Sequence, residues 1–162
     1  MEIIRGRQSR EMNKIEFLET LAGRGTVWLD LGTGDGRFVC KLAEGQKNRF
    51  FIGVDACREN LHLNSRKAPP NALFVISRAQ ALPHELCGLV SRVSINFPWG
   101  SLLESLLNRD AHLLEGLSGM TGPCAGMDLY LNSDALAAAG WLLDSGADRI
   151  EQALTAAGWK RK

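Results

Sequence analysis

At 162 residues, 45% hydrophobic and 23% charged, the chain has the make-up of one folded domain with a single core, which excludes a large multidomain machine and a disordered or fibrous chain. Its 19 Lys and Arg against 18 Asp and Glu leave a net charge of +1, far from the basic excess of a domain held on nucleic acid by charge alone. No apolar run approaches the roughly 20 residues of a membrane span, and the opening residues lack a signal-peptide core, so a cytoplasmic protein with no membrane partner is expected.

Taken in chain order, segment 3–21 predicts a leading strand or turn followed by a helix. Strand-length runs rich in Val, Ile, Phe, Leu or Tyr follow at 27–31, 50–54, 73–77, 90–96 and 126–131, bounded by Gly, Pro, Asn or Asp. Between and after them, 37–44, 58–67, 101–117 and 148–157 suit helices. Pro69 and Pro70 close the second of these, because proline lacks an amide proton and restricts the residue before it. Alternation of this kind marks stacked βαβ units, hence an α/β fold: a parallel sheet of about five strands flanked by helices. No linker divides it, so residues 1–162 are read as one domain.

Cys40, Cys57, Cys87 and Cys124 form no CxxC pair and stand at no metal-ligand spacing with a histidine. They are expected to be small buried thiols, and no metal is expected. His62, His84 and His112 fall on predicted helices or a loop and are read as solvated or cap-forming.

The sharpest local signal is Asp30-Leu31-Gly32-Thr33-Gly34-Asp35-Gly36, between a strand and a helix. Glycines there let the backbone bend tightly and let a ligand approach the main chain, while the helix N-terminus offers free amide protons. Gly32, Thr33, Gly34 and Gly36 are therefore candidate cradle residues. A dinucleotide fingerprint would place its third glycine at 37, where this chain has Arg37, which disfavours an NAD-dependent oxidoreductase. Asp30 suits a ligand with a positive amino group, and Asp55, ending the next strand, suits the two hydroxyls of a ribose. Together they suggest S-adenosylmethionine. In the loop after the third predicted strand, Ala79 permits close approach of an adenine and Gln80 has an amide for its edge.

After the fourth predicted strand comes Asn96-Phe97-Pro98-Trp99-Gly100-Ser101, where open α/β sheets place their substrates. Trp99 can stack a planar base, and the carbonyl of Phe97 or Pro98 can face an amino group, since a proline cannot continue the strand ladder. Base-modifying enzymes take a nucleotide out of its stack onto such a platform.

These stretches, with Phe51-Ile52-Gly53-Val54-Asp55, Ala79-Gln80-Ala81-Leu82-Pro83 and Phe97-Pro98-Trp99-Gly100-Ser101-Leu102-Leu103-Glu104, resemble the aminoglycoside-resistance 16S rRNA (adenine(1408)-N1) methyltransferases, whose fold is the Rossmann-like class I methyltransferase fold. The glycine loop and acid identify only the superfamily, whereas Phe-Pro-Trp-Gly-Ser-Leu-Leu is far more specific. The resemblance implies S-adenosylmethionine as cofactor, with Asp30, Gly32, Asp55, Ala79 and Gln80 as its contacts. It implies Trp99 stacked on the flipped base, Ser101 near the site, and 16S rRNA in the small ribosomal subunit as partner.

The chain departs from that family in two places. Its connection before Pro69 is short, with only Arg66 and Lys67 as basic residues, and it stops at Lys162 where family members continue into two further strands and a second tryptophan. Those strands are expected to be missing, which would leave 126–131 as an open edge prone to self-association. The alternative function is a non-catalytic relative that binds S-adenosylmethionine without modifying RNA. The tRNA guanine-N7 enzymes are disfavoured because their Phe-Pro turn carries an Asp-Pro insertion absent here.

Overall fold

A computed structural model describes residues 1–21 and 23–160. Among these residues seven strands form one sheet: β1 (Glu2–Arg5), β2 (Gln8–Glu11), β3 (Thr26–Leu31), β4 (Arg49–Asp55), β5 (Ala72–Ile76), β6 (Val90–Asn96) and β7 (Thr121–Tyr130). Helices α1 (Lys14–Leu21), α2 (Arg37–Gly45), α3 (Arg58–Arg66), α4 (Gly100–Leu107), α5 (Ala111–Met120), α6 (Ser133–Ala138) and α7 (Leu143–Ala156) complete the fold. The strand order is β2-β1-β5-β4-β3-β6-β7, with β3 to β7 parallel and the first two antiparallel. After β3 the chain builds outward through β4 and β5, then crosses back to place β6 on the other side of β3. Such a reversal opens a crevice at the carboxyl ends of the strands.

The period-two pattern of β4 supplies both cores. Phe50, Ile52 and Val54 face one cluster with Phe17, Leu29, Val93 and Leu113, while Phe51 faces the other with Val39, Leu61 and Phe74. Burying each of these aromatic side chains contributes about 1.5–3 kcal/mol.

Four expectations are corrected. The sheet has seven strands where about five were expected, because segment 3–21 contributes a hairpin before its helix. Its second strand, Gln-Ser-Arg-Glu, is mostly exposed and carries no apolar alternation that a sequence could reveal. The single helix expected at 101–117 is two: Arg109 stands at φ 57°, and the Asp110 carboxylate starts α5 by accepting the Leu113 amide at 3.0 Å. The last strand begins at Thr121, with a register irregularity around Pro123 and Cys124, and α6 was not expected at all; Asn132 caps it by accepting the amides of Asp134 and Ala135. Finally, Cys57, Cys87 and Cys124 are exposed and only Cys40 is partly buried, because apolar neighbours in sequence do not place a thiol on the inward face. His84 and His112 are exposed, whereas His62 is half-buried with its Nε2 enclosed and without a hydrogen-bond partner.

Candidate active site

At the end of β3 the chain folds back over β4: the amides of Gly32 and Thr33 donate to the Val54 carbonyl at 2.9 and 3.0 Å. The three glycines that follow all have positive φ, at 72°, 58° and 76°, a region that costs other residues steric strain. They serve different ends. A Cβ on Gly32 would stand 2.6 Å from the Leu102 side chain, and one on Gly36 would run into the Phe74 ring, so these two allow close packing. A Cβ on Gly34 would meet nothing within 4 Å, and Gly34 lines the open cleft. Asp55 ties this loop down. Its Oδ2 accepts the Gly34 amide and its Oδ1 the Cys57 amide, both at 2.8 Å. Each oxygen keeps a further lone-pair site for a hydroxyl donor.

Behind the loop lies a buried polar chain. The Trp28 indole N–H donates to the Ser94 hydroxyl at 3.1 Å, and Ser94 donates to Asp30 Oδ1 at 2.6 Å. The Asn96 amide donates to the same oxygen at 2.8 Å. Asp30 is 3% exposed, and burial pushes its carboxyl above the usual carboxylate range, against the opposing pull of the Ser94 and Asn96 donors.

The glycine loop, Asp55, the segment from Ser77 to Ala81 and the turn from Asn96 to Leu102 enclose a cleft of about 910 Å³. Of the residues expected at the site, Gly32, Thr33, Gly34, Asp55, Ala79, Gln80, Phe97, Pro98, Trp99 and Ser101 all line it. Asp30 and Gly36 do not: the first stands behind Asn96, the second against Phe74. Gln80 donates its amide nitrogen to the Ser105 hydroxyl at 2.5 Å, which leaves its carbonyl oxygen as the end free to accept. Phe97 adopts a left-handed φ of 52°, rare for an aromatic, and is held there as its amide donates to the Tyr130 carbonyl at 2.8 Å. Pro98 is buried, and the chain then presents Trp99 with 56% of its surface exposed at the start of α4.

Sequence reasoning missed Asn96 as a lining residue, along with Asp35, Ser77, Arg78 and Leu102. The available signal for Asn96 was an amide side chain at the carboxyl end of a central strand, directly before the Phe97-Pro98-Trp99 turn. Among the described residues no cluster of His, Cys, Asp or Glu is arranged for a metal ion, and no helix is long and apolar enough to cross a membrane.

An open, mainly parallel sheet, a glycine loop tied to an acid on the neighbouring strand and an aromatic-proline turn across the same cleft define a Rossmann-like methyltransferase fold. Within that class the NpmA family profile, described as 16S rRNA (adenine(1408)-N(1))-methyltransferase, matches residues 2–161, and the chain belongs to this family. It is 37% identical over 128 residues to an Escherichia coli protein with that same description, covering 74% of this chain and 58% of the relative. A relative from Streptoalloteichus hindustanus, also so described, is 32% identical over 143 residues, covering 83% and 66%. The chain thus spans 58–66% of the length of these curated relatives. Among solved structures it is similar to the aminoglycoside resistance methyltransferase NpmB1 (TM-score 0.89, 33% identity, covering 99% of this chain and 86% of that one). It is also similar to the antibiotic-resistance methyltransferase Kmr (TM-score 0.85, 36% identity, covering 100% and 91%).

Proposed function

We propose that the chain binds S-adenosylmethionine and methylates N1 of the decoding-site adenine of 16S rRNA in the small ribosomal subunit, giving aminoglycoside resistance. The observation that carries the reading is the one cleft in which Gly34 and Asp55 share a lining with an exposed Trp99. Its residues fit a nucleoside with an amino-acid arm, because open space stands where a Gly34 side chain would intrude and Asp55 keeps acceptor sites for two ribose hydroxyls.

S-adenosylmethionine, when bound, supplies a methyl group activated on a sulfonium. Asp55 holds the ribose, Ala79 leaves room for the adenine, and the Gln80 carbonyl oxygen faces an amino edge. Trp99 stacks the target base taken out of its helix, with Phe97, Pro98 and Ser101 shaping the rim. Adenine N1 has a free lone pair at neutral pH, so no protein group has to remove a proton. The residues act by positioning, which can supply roughly 7–11 kcal/mol. Transfer of labelled methyl to small ribosomal subunits, lost in Trp99→Ala, tests this; no transfer to any RNA would refute it.

The same reading sets the protein in the cytoplasm with the ribosome. It also treats the outer rim of β7, an edge strand of the sheet, as a surface for pairing with a second copy. Light scattering at micromolar concentration checks that, and a clean monomer would contradict it.

A further inference from the structure

We infer that the Asn96 side-chain carbonyl is a fixed acceptor for the positively charged amino group on the methyl donor's amino-acid arm, standing between that group and the buried Asp30. The inference rests on the methyl-donor reading of the cleft and goes beyond it by assigning a specificity-determining contact to a residue outside the glycine loop.

An asparagine amide has a donor end and an acceptor end, and its surroundings decide which faces a ligand. Here Asp30 decides. The Nδ2 group donates to the Asp30 carboxylate at 2.8 Å, and exchanging the two ends would set one oxygen against another. Oδ1 therefore remains for the cleft, which Asn96 lines. The strand register supports the placement: Asp30 pairs with Ser94 across β3 and β6, so Asn96, two residues further on, reaches the level of Gly32 in the cofactor loop.

The orientation is reinforced from behind. Because the Trp28 indole N–H occupies a lone pair of the Ser94 hydroxyl, the hydroxyl proton is directed at Asp30. Hydrogen bonds aligned in this way polarise one another. Among the described residues no Lys, Arg or His forms an ion pair with Asp30. A carboxylate held at 3% exposure without a cation is costly, and a cation in the cleft, received by Asn96 Oδ1, would offset that cost. A primary ammonium carries three donors and no acceptor, which complements this single inward-held oxygen backed by a negative charge. A ligand without the amino group gains nothing from either residue.

The test compares two thioether nucleosides that differ in the amino-acid arm, S-adenosylhomocysteine and 5′-methylthioadenosine, by calorimetry on the full chain. Asn96→Leu should weaken S-adenosylhomocysteine binding about tenfold or more, the size expected for one hydrogen bond to a charged group. Methylthioadenosine binding should stay within about twofold of wild type, which also reports that the variant is folded. Asn96→Ala should repeat the result without adding bulk. Equal losses for both ligands, or no loss for either, would overturn the inference while leaving the cofactor reading intact. Wild-type protein that binds neither ligand would overturn both.

Discussion

The Asp55 carboxylate accepts the Gly34 amide at 2.8 Å, so the acid at the end of β4 fixes the shape of the loop that follows β3. One side chain thus links two strands at the crevice and leaves acceptor capacity facing it. Replacing Asp55 removes both functions together.

Asp55→Ala should therefore weaken S-adenosylmethionine binding about tenfold or more and destabilise the domain by about 1–3 kcal/mol, since two backbone amides lose their acceptor. Calorimetry and denaturant titration measure the two effects. Unchanged affinity would show that Asp55 holds the loop alone.

Gly34→Ala and Gly36→Ala should part company. Both residues have positive φ, which costs alanine about 1 kcal/mol, but only Gly36 is pressed against Phe74. Overpacking adds about 1–3 kcal/mol there, so Gly36→Ala should be the less stable protein. Gly34→Ala should lose only that backbone cost yet bind cofactor poorly, because its methyl group enters the cleft. Chemical denaturation with ligand titration separates them, and equal stabilities would contradict the packing account.

Asp30 gives the domain a pH signature. Burial raises its folded-state pKa above the ordinary value of 3.8, so the stability contributed by the neutral carboxyl is complete below that value and lost as pH rises through the folded-state pKa. The stability of Asp30→Asn relative to wild type should accordingly improve as pH increases across this window. Paired urea titrations over a pH series would read it, and a flat difference would refute it.

Gln80 and Ser105 should be coupled. A double-mutant cycle with Gln80→Leu and Ser105→Ala should return an interaction of about 0.5–1.5 kcal/mol in unfolding free energy, from the bond that joins the segment after β5 to α4. Strict additivity would place no weight on that bond.

The βα succession, the glycine loop, Asp55 and the Phe97-Pro98-Trp99 turn were legible because each depends on local chemistry: apolar runs of strand length, positive φ at glycine, and a proline that ends a ladder. What escaped depends on which partners a segment meets in the fold, some close in sequence and some distant. β2 is a strand only because β1 pairs with it. The break at Arg109 is set locally by the next residue, Asp110, whose carboxylate accepts the Leu113 amide and starts a new helix. Asp30 reads as a direct contact for a charged amino group until Ser94 and Asn96, more than sixty residues away, are seen to enclose it. Exposure of Cys57, Cys87 and Cys124 likewise follows from the face each occupies in the fold.

The proposed delivery of a methyl group from this cleft to N1 of one adenine can be read directly on the RNA. The direct measurement is reverse transcription across the decoding site of 16S rRNA after incubating small ribosomal subunits with the protein and S-adenosylmethionine. N1 methylation blocks base pairing, so a strong stop at that adenine is predicted with wild type, with none for Trp99→Ala. Cofactor binding without any stop on the RNA would contradict the claim.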